Sequence, residues 1–148
     1  MDKETLAYLA GLFDGEGSIF ILRKVRNGRY FYWMEISVTN TDKDLIDWMQ
    51  SIVGGRKSLQ PETYTASGKP IFRWRASSIQ ASSFLQMVMP WLRIKRDRAE
   101  IAISFQEALS AKAKHAVPDN EHLSTLQRYR DSLMLLNKRG VSKEVDIE

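Results

Sequence analysis

The stretch Leu9-Ala10-Gly11-Leu12-Phe13-Asp14-Gly15-Glu16-Gly17 decides how the rest of the chain is read. With Leu6, Ala7 and Tyr8 ahead of it, it predicts a helix from Lys3 to about Asp14, capped by Asp2 and carrying Glu4 in its first turn. This helix has no polar face, whereas a helix lying on one sheet needs only a single apolar stripe. Its second side must therefore be covered, either by the centre of its own core or by another copy of the chain. Ala7, Ala10 and Gly11 lie at helical spacing and make a strip of small residues on which a second helix can approach closely. A glycine inside a helix costs about 1 kcal/mol against alanine, so its presence asks for such a reason. Ala7, Ala10, Gly11 and Asp14 are accordingly the expected dimer interface.

The end of the helix is unusual. Asp14 and Glu16 stand where the helix dipole is negative and the last carbonyls lack partners. Carboxylates are unfavourable there unless a cation joins them. Carboxylate oxygens together with the Gly15 carbonyl form a hard-metal site of the kind Mg²⁺ (or Mn²⁺) takes up with phosphate oxygens. If two such helices pair in parallel, two Glu16 side chains meet beneath the sheets. Divalent ions between them would let the pair face a polyanion and would clamp the attacking and leaving oxygens of a phosphodiester. Taken alone, two acids near a helix end also fit a solvated turn.

Working outward, Ser18–Arg26 reads as a strand, Asn27-Gly28 as a tight hairpin turn and Arg29–Thr39 as the return strand. In the return strand Tyr32, Met34, Ile36 and Val38 alternate with Phe31, Trp33, Glu35 and Ser37, so one face is buried and the other free. Thr41 is the expected cap of a helix that stops at Gly54-Gly55. A second hairpin follows, with Arg56–Tyr64 as one strand, Ala66-Ser67-Gly68 as the turn and Pro70–Ala76 as the other strand. Ser77 or Ser78 opens a helix that Pro90 stops. Lys95 to about Ala113 and Glu121 to Lys138 are two further amphipathic helices, joined by a loop containing Pro118, and Gly140 ends the last. The fold class is α+β, an αββαββα order with one curved four-stranded antiparallel sheet and C-terminal helices. Residues 1–140 are expected to form one domain and 141–148 a flexible tail.

Composition narrows the function. The chain has 148 residues, enough for one core and too few for two comfortable ones. It is 43% hydrophobic and 27% charged, which argues against wholesale disorder. It has no cysteine, and so no disulfide frame, thiolate zinc site or cysteine nucleophile. The apolar run Leu6–Phe13 is too short to span a bilayer and lacks the basic flank of a secretion signal, so a soluble intracellular protein is expected. The net charge of +4 is unevenly placed: residues 1–17 carry net −3, residues 18–98 net +8 and residues 99–148 net −1. A basic excess gathered on the strand region suggests a polyanionic partner, nucleic acid first. Gly54-Gly55-Arg56-Lys57 is better read as a turn than as a phosphate loop, and His115 and His122 lack metal-ligand spacing.

The nine-residue stretch resembles the LAGLIDADG motif of homing endonucleases, with Phe for Ile, Gly for Ala and Glu for the second Asp. Val38-Thr39-Asn40-Thr41, Pro90-Trp91-Leu92-Arg93-Ile94-Lys95, Ser110-Ala111-Lys112, Pro118-Asp119 and Leu135-Leu136-Asn137 extend the resemblance over nearly the whole chain. One copy of the motif makes the chain similar to the homodimeric subclass. The resemblance implies a divalent-metal-dependent, site-specific endonuclease that cuts both strands of double-stranded DNA and serves intron homing. It implies Glu16 as the metal-binding and catalytic acid, with the Gly15 carbonyl as a further ligand. Asn40 falls where a polar residue helps place the attacking water, and Lys95 where a lysine stands near the scissile phosphate. Asp14 matches the more structural first acid. The basic residue usual just after the second strand has no clear counterpart, since Asp42 and Asp44 crowd Lys43.

A twisted antiparallel ribbon fits the major groove, where base edges carry a distinct donor and acceptor code. Alternation places Glu35, Ser37, Arg73 and Arg75 outward, together with Phe20, Leu22, Lys24 and Arg26 on the first strand. Arg73 and Arg75 are the candidates for guanine; Arg23, Arg29, Arg56, Lys57 and Lys69 are expected at phosphates. A strand of about ten residues spans about 33 Å, or roughly nine to ten base pairs, and a symmetric dimer about twice that as a pseudo-palindrome. Two rivals remain: an intron maturase binding RNA on the same scaffold, and a DNA-binding regulator without catalysis.

Overall fold

The computed structural model describes residues 1–112 and 119–138. The expected loop around Pro118, the stop at Gly140 and the tail 141–148 lie outside the described residues. Helix α1 (Lys3–Glu16) starts as expected, with the Asp2 carboxylate accepting from the Thr5 amide at 2.8 Å. It runs two residues past Asp14, so Glu16 is its last residue, and the Gly17 amide closes it on the Phe13 carbonyl. β1 (Gly17–Arg26) and β2 (Arg29–Asn40) form a hairpin paired from Gly17↔Val38 to Arg26↔Arg29. Its turn residues Asn27 and Gly28 both have positive φ, the conformation that follows the right-handed strand twist.

Helix α2 (Lys43–Val53) is capped by Asp42 and not by Thr41. Asn40 Oδ1 accepts the Asp42 amide at 2.8 Å, and this turn places Asp42, whose carboxylate then accepts from the Leu45 amide at 3.2 Å.

The expected strand Arg56–Tyr64 is not continuous. It divides into β3 (Arg56–Lys57) and β4 (Thr63–Tyr64), each paired with β5 (Pro70–Ser77). The break is where Ser58 Oγ holds the Arg73 amide at 3.0 Å and exposed Leu59 and Gln60 lead to Pro61, which has no N–H for a ladder. The sheet is therefore five-stranded, ordered β1-β2-β5-β3 with β4 also on β5, instead of four-stranded. Helices α3 (Ser78–Val88), α4 (Arg96–Ala111) and α5 (Asn120–Asn137) follow, with a 3₁₀ turn at Met89–Trp91 before α4.

The helices gather on one face of the sheet. Ile19, Ile21, Met34, Ile36, Val38, Phe72 and Trp74 point into them and are buried with Leu9 and Phe13 of α1 and Phe105 of α4. α5 closes the outer edge of β1: Arg130 Nε donates to the Ile21 carbonyl at 3.2 Å and Asn137 Nδ2 to the Ile19 carbonyl at 2.9 Å. Edge carbonyls that would invite another strand are thereby satisfied. Among the described residues no helix lies on the opposite face of the sheet. The far third of the β1–β2 hairpin, Arg23–Phe31, is exposed on both faces and projects beyond the helices.

Candidate nucleic-acid interface and catalytic centre

Asp14 lies in the last turn of α1 and is spent on local structure. Its carboxylate accepts from the backbone amides of Arg93, Ile94 and Lys95 at 2.8, 3.1 and 3.0 Å, and so receives the start of α4. Lys95 returns the contact, its Nζ donating to the Asp14 carbonyl. That carbonyl is one of the orphan acceptors of the helix end, so a cation completes it. Lys95 is half-buried. Burial lowers its pKa below the ordinary lysine value, and Arg98 adds to this, while the charges of Asp14 and Glu16 oppose it. Glu16 and Lys95, 79 residues apart in sequence, thus feel each other's charge at the end of α1.

The Glu16 and Gly15 residues are exposed there. Glu16 precedes Gly17, which pairs with Val38, so Asn40 at the end of β2 lies close by in the sheet register. The Asn40 oxygen is engaged by the Asp42 amide. Among the described residues no three His, Cys, Asp or Glu side chains group together. One chain therefore offers an oxygen set of one carboxylate and main-chain carbonyls, which suits a hard divalent ion whose remaining ligands are water, phosphate or a second copy.

Ala7 and Gly11 are exposed and floor an open groove walled by Pro90, Trp91, Arg93 and Arg96. Ala10 is a correction: it is 0% exposed and faces this chain's own core, because the helix turns Leu9, Ala10 and Phe13 inward together.

Cross-strand partners share a face, so the register assigns the open side of the sheet row by row. Thr39 stands beside Arg73; Ser18, Ser37, Arg75 and Arg56 follow; then Phe20, Glu35 and Ser77; then Leu22 and Trp33; then Lys24 and Phe31; and Arg26 with Arg29 at the tip. Lys24, Arg26, Arg29, Glu35, Ser37, Arg56, Arg73 and Arg75 all lie on this face. Lys57 does not. It pairs with Trp74, on the helix side, and its ammonium lies 3.1 Å from Asp47 of α2, which Lys43 also holds at 2.7 Å. Arg23 likewise turns to the helix side, where it donates to Gln127 at 2.9 Å and lies over the Tyr30 ring.

Glu62 was not among the residues expected to matter. Its carboxylate lies 2.8 Å from Arg75 Nη2 and 3.3 Å from Arg73 Nε, so one acid tethers both central guanidinia. Only the break at Pro61 brings it opposite them, and no periodicity in the sequence announces that.

No helix among the described residues is long and apolar enough to cross a membrane. The fold is similar to that of the homing endonuclease I-CvuI, solved in complex with the I-CreI target in the presence of Mg with the DNA not cleaved. Identity is 19%, with 95% of this chain and 87% of that one covered at a TM-score of 0.74. It is also similar to the archaeal intron-encoded homing endonuclease I-Vdi141I complexed with DNA, at 14% identity, 97% and 90% coverage and a TM-score of 0.75. The LAGLIDADG homing endonuclease I-GzeII, in complex with a DNA target, matches 96% of this chain over 47% of its own length, at 15% identity and a TM-score of 0.68. No curated protein sequence matches the chain. The family profile of the LAGLIDADG-like domain matches residues 3–88, more than half of the chain, and the protein belongs to that family.

Proposed function

We propose that the chain is a soluble intracellular, site-specific endonuclease of double-stranded DNA. It works as a homodimer with Mg²⁺ or Mn²⁺ and cuts a long pseudo-palindromic site in intron homing, with residues 1–140 forming one domain in each subunit. The observation that carries this reading is the end of α1, where Asp14 holds Lys95 and Glu16 stands exposed two residues on, beside a sheet face rich in cations.

The sheet face enters the major groove and sets the register on the duplex. Lys24, Arg26, Arg29 and Arg56 neutralise phosphates, while Arg73, Arg75, Glu35 and Ser37 address base edges. Glu16, with the Gly15 carbonyl, would hold the divalent ion. Such an ion, when bound, supplies charge neutralisation at the phosphate and a water of lowered pKa. Lys95 provides a fixed cation next to the phosphate, where negative charge grows during hydrolysis. With its oxygen engaged by the Asp42 amide, Asn40 leaves its amide nitrogen to hold a water oxygen. One chain carries one such centre, so cutting both strands needs two, and Ala7 and Gly11 offer the exposed helix surface on which copies meet.

The test begins with selection of bound duplexes from a random library in Ca²⁺. Adding Mg²⁺ should cut the selected duplex in both strands, and Glu16→Gln should bind it without cutting. Duplex binding with no scission in Mg²⁺ or Mn²⁺ would leave a DNA-binding regulator. Failure to select any duplex, with tight binding to structured intron RNA, would leave a maturase.

A further inference from the structure

Four large apolar side chains stand on the open face of the sheet, Leu22 and Trp33 half-buried there and Phe20 and Phe31 exposed. Leu22 and Trp33 are cross-strand partners, Phe20 lies one row nearer the end of α1, and Phe31 one row nearer the hairpin tip. Phe20 is 46% exposed and Phe31 49%. This band is bracketed by charge on both sides. Glu35 stands beside Phe20 with Arg75 one row nearer α1, and Lys24 stands beside Phe31 with Arg26 and Arg29 one row nearer the tip, Arg26 itself lying over the Phe31 ring. An apolar patch with Arg75 on one side and Lys24, Arg26 and Arg29 on the other is complementary to a surface that alternates phosphates with small apolar groups. The thymine 5-methyl is the one apolar group on the floor of the major groove.

We infer that the Leu22–Trp33 band reads thymine methyls, so that each half-site is bipartite, with a guanine-bearing segment under Arg73 and Arg75 and a thymine-bearing segment farther from the centre. This rests on the DNA-binding reading above and assigns its sequence preference. The spacing follows from the strand. Ser37, beside Arg75, and Trp33 are four residues apart in β2, which is about 13 Å of strand and about four base pairs of duplex. The thymine segment therefore lies about four base pairs outward of the guanine contacts. Exposed aromatics on a sheet can also stack on unpaired bases. The flanking pattern favours the groove, because Leu22 has no ring to stack and occupies the centre of the band.

The experiment uses the full chain and a random duplex library, selected in Ca²⁺ so that binding is read without cutting. Thymine should be enriched about four base pairs outward of the guanine preference. Each thymine in that segment is then replaced by deoxyuridine, which removes the methyl and leaves every hydrogen-bonding edge intact. Each replacement should weaken binding about fourfold, the worth of one buried methyl-sized group. The penalty should fall away in the Leu22→Ser and Trp33→Ser variants, whose folding is checked by circular dichroism. Enriched duplexes that are indifferent to deoxyuridine would overturn this inference while leaving DNA binding intact. No enriched duplex at all would overturn the function itself. Tighter binding to single-stranded RNA that depends on Trp33 and Phe31 would overturn both.

Discussion

Asp14 and Lys95 hold each other at the end of α1: the carboxylate of one receives the backbone amide of the other at 3.0 Å, and the ammonium returns to the Asp14 carbonyl. The first acid of the motif is thus engaged in building, which leaves Glu16, two residues on, as the exposed carboxylate of the pair. Where Lys95 stands depends on this clasp, so any act of Lys95 at a phosphate would pass through Asp14 as a positioning residue. The clasp also explains why Asp14 is tolerated at the negative end of a helix, because three backbone N–H groups meet its carboxylate and an ammonium meets its carbonyl.

Asp14→Ala should cost about 2–4 kcal/mol in urea denaturation. Hydrogen bonds to a charged group are worth about 1.5–3 kcal/mol each, and partial exposure discounts their sum. Asp14→Asn keeps the shape and most acceptor capacity, so it should fold and yet cleave about 10- to 100-fold more slowly, with KM little changed. In a Lys95→Met background the same substitution should have almost no further effect on the rate. Additive losses would show that Asp14 does not act through Lys95.

The lowered pKa of Lys95 gives the pH dependence a sign. The ammonium discharges at a lower pH than an exposed lysine, because burial disfavours the charged form. Cleavage should therefore fall on the alkaline side earlier than an ordinary lysine would allow, and Lys95→Arg should remove that limb. Stability moves the other way. Between the lowered folded value and the ordinary 10.5, the unfolded chain binds the proton that the folded chain has lost, so stability rises with pH across that window. Lys95→Met should abolish the rise.

Much of this was legible in the sequence, and where it was not the reason is physical. The β1–β2 hairpin follows from strict alternation and the Asn27-Gly28 turn, both local properties. The placement of Ala10 is not local: on a helix with no polar face, only the packing of Leu9 and Phe13 decides which small residue turns inward. Lys57 and Arg56 are adjacent in a two-residue strand, so a single step of register sends one to Asp47 and the other to the open face. The cap of α2 was displaced by one residue because Asn40 captured the Asp42 amide, a choice that Thr41 could have contested on propensity alone.

Glu62 restrains Arg73 and Arg75 in the free protein, and a duplex bound through these arginines would have to compete with it. Glu62→Gln should tighten binding to unrelated duplexes and steepen the salt dependence by about one phosphate contact. It should also narrow the gap between the selected site and unrelated DNA. Fluorescence anisotropy at a series of salt concentrations reads all three. Unchanged affinity for unrelated DNA would mean that the two arginines do not meet the nucleic acid.

The two glycines Gly17 and Gly11 differ in what surrounds them within the fold. A Cβ at Gly17 would come 2.5 Å from the Phe13 carbonyl oxygen and 2.5 Å from its ring, and the carbonyl is backbone that cannot swing aside. Gly17→Ala should therefore destabilise by about 1–3 kcal/mol, the usual range for overpacking. At Gly11 a Cβ meets nothing within 4 Å. Gly11→Ala should stabilise the isolated fold by about 1 kcal/mol, since alanine is the better helix former. The isolated fold thus has no use for this glycine, whereas a close-packed second copy would. Gly11→Leu should fold normally, sediment as a monomer at concentrations where the wild type is a dimer, and lose double-strand cleavage. A Gly11→Leu protein that still sediments as a dimer and cuts both strands would place the joint between copies somewhere other than α1.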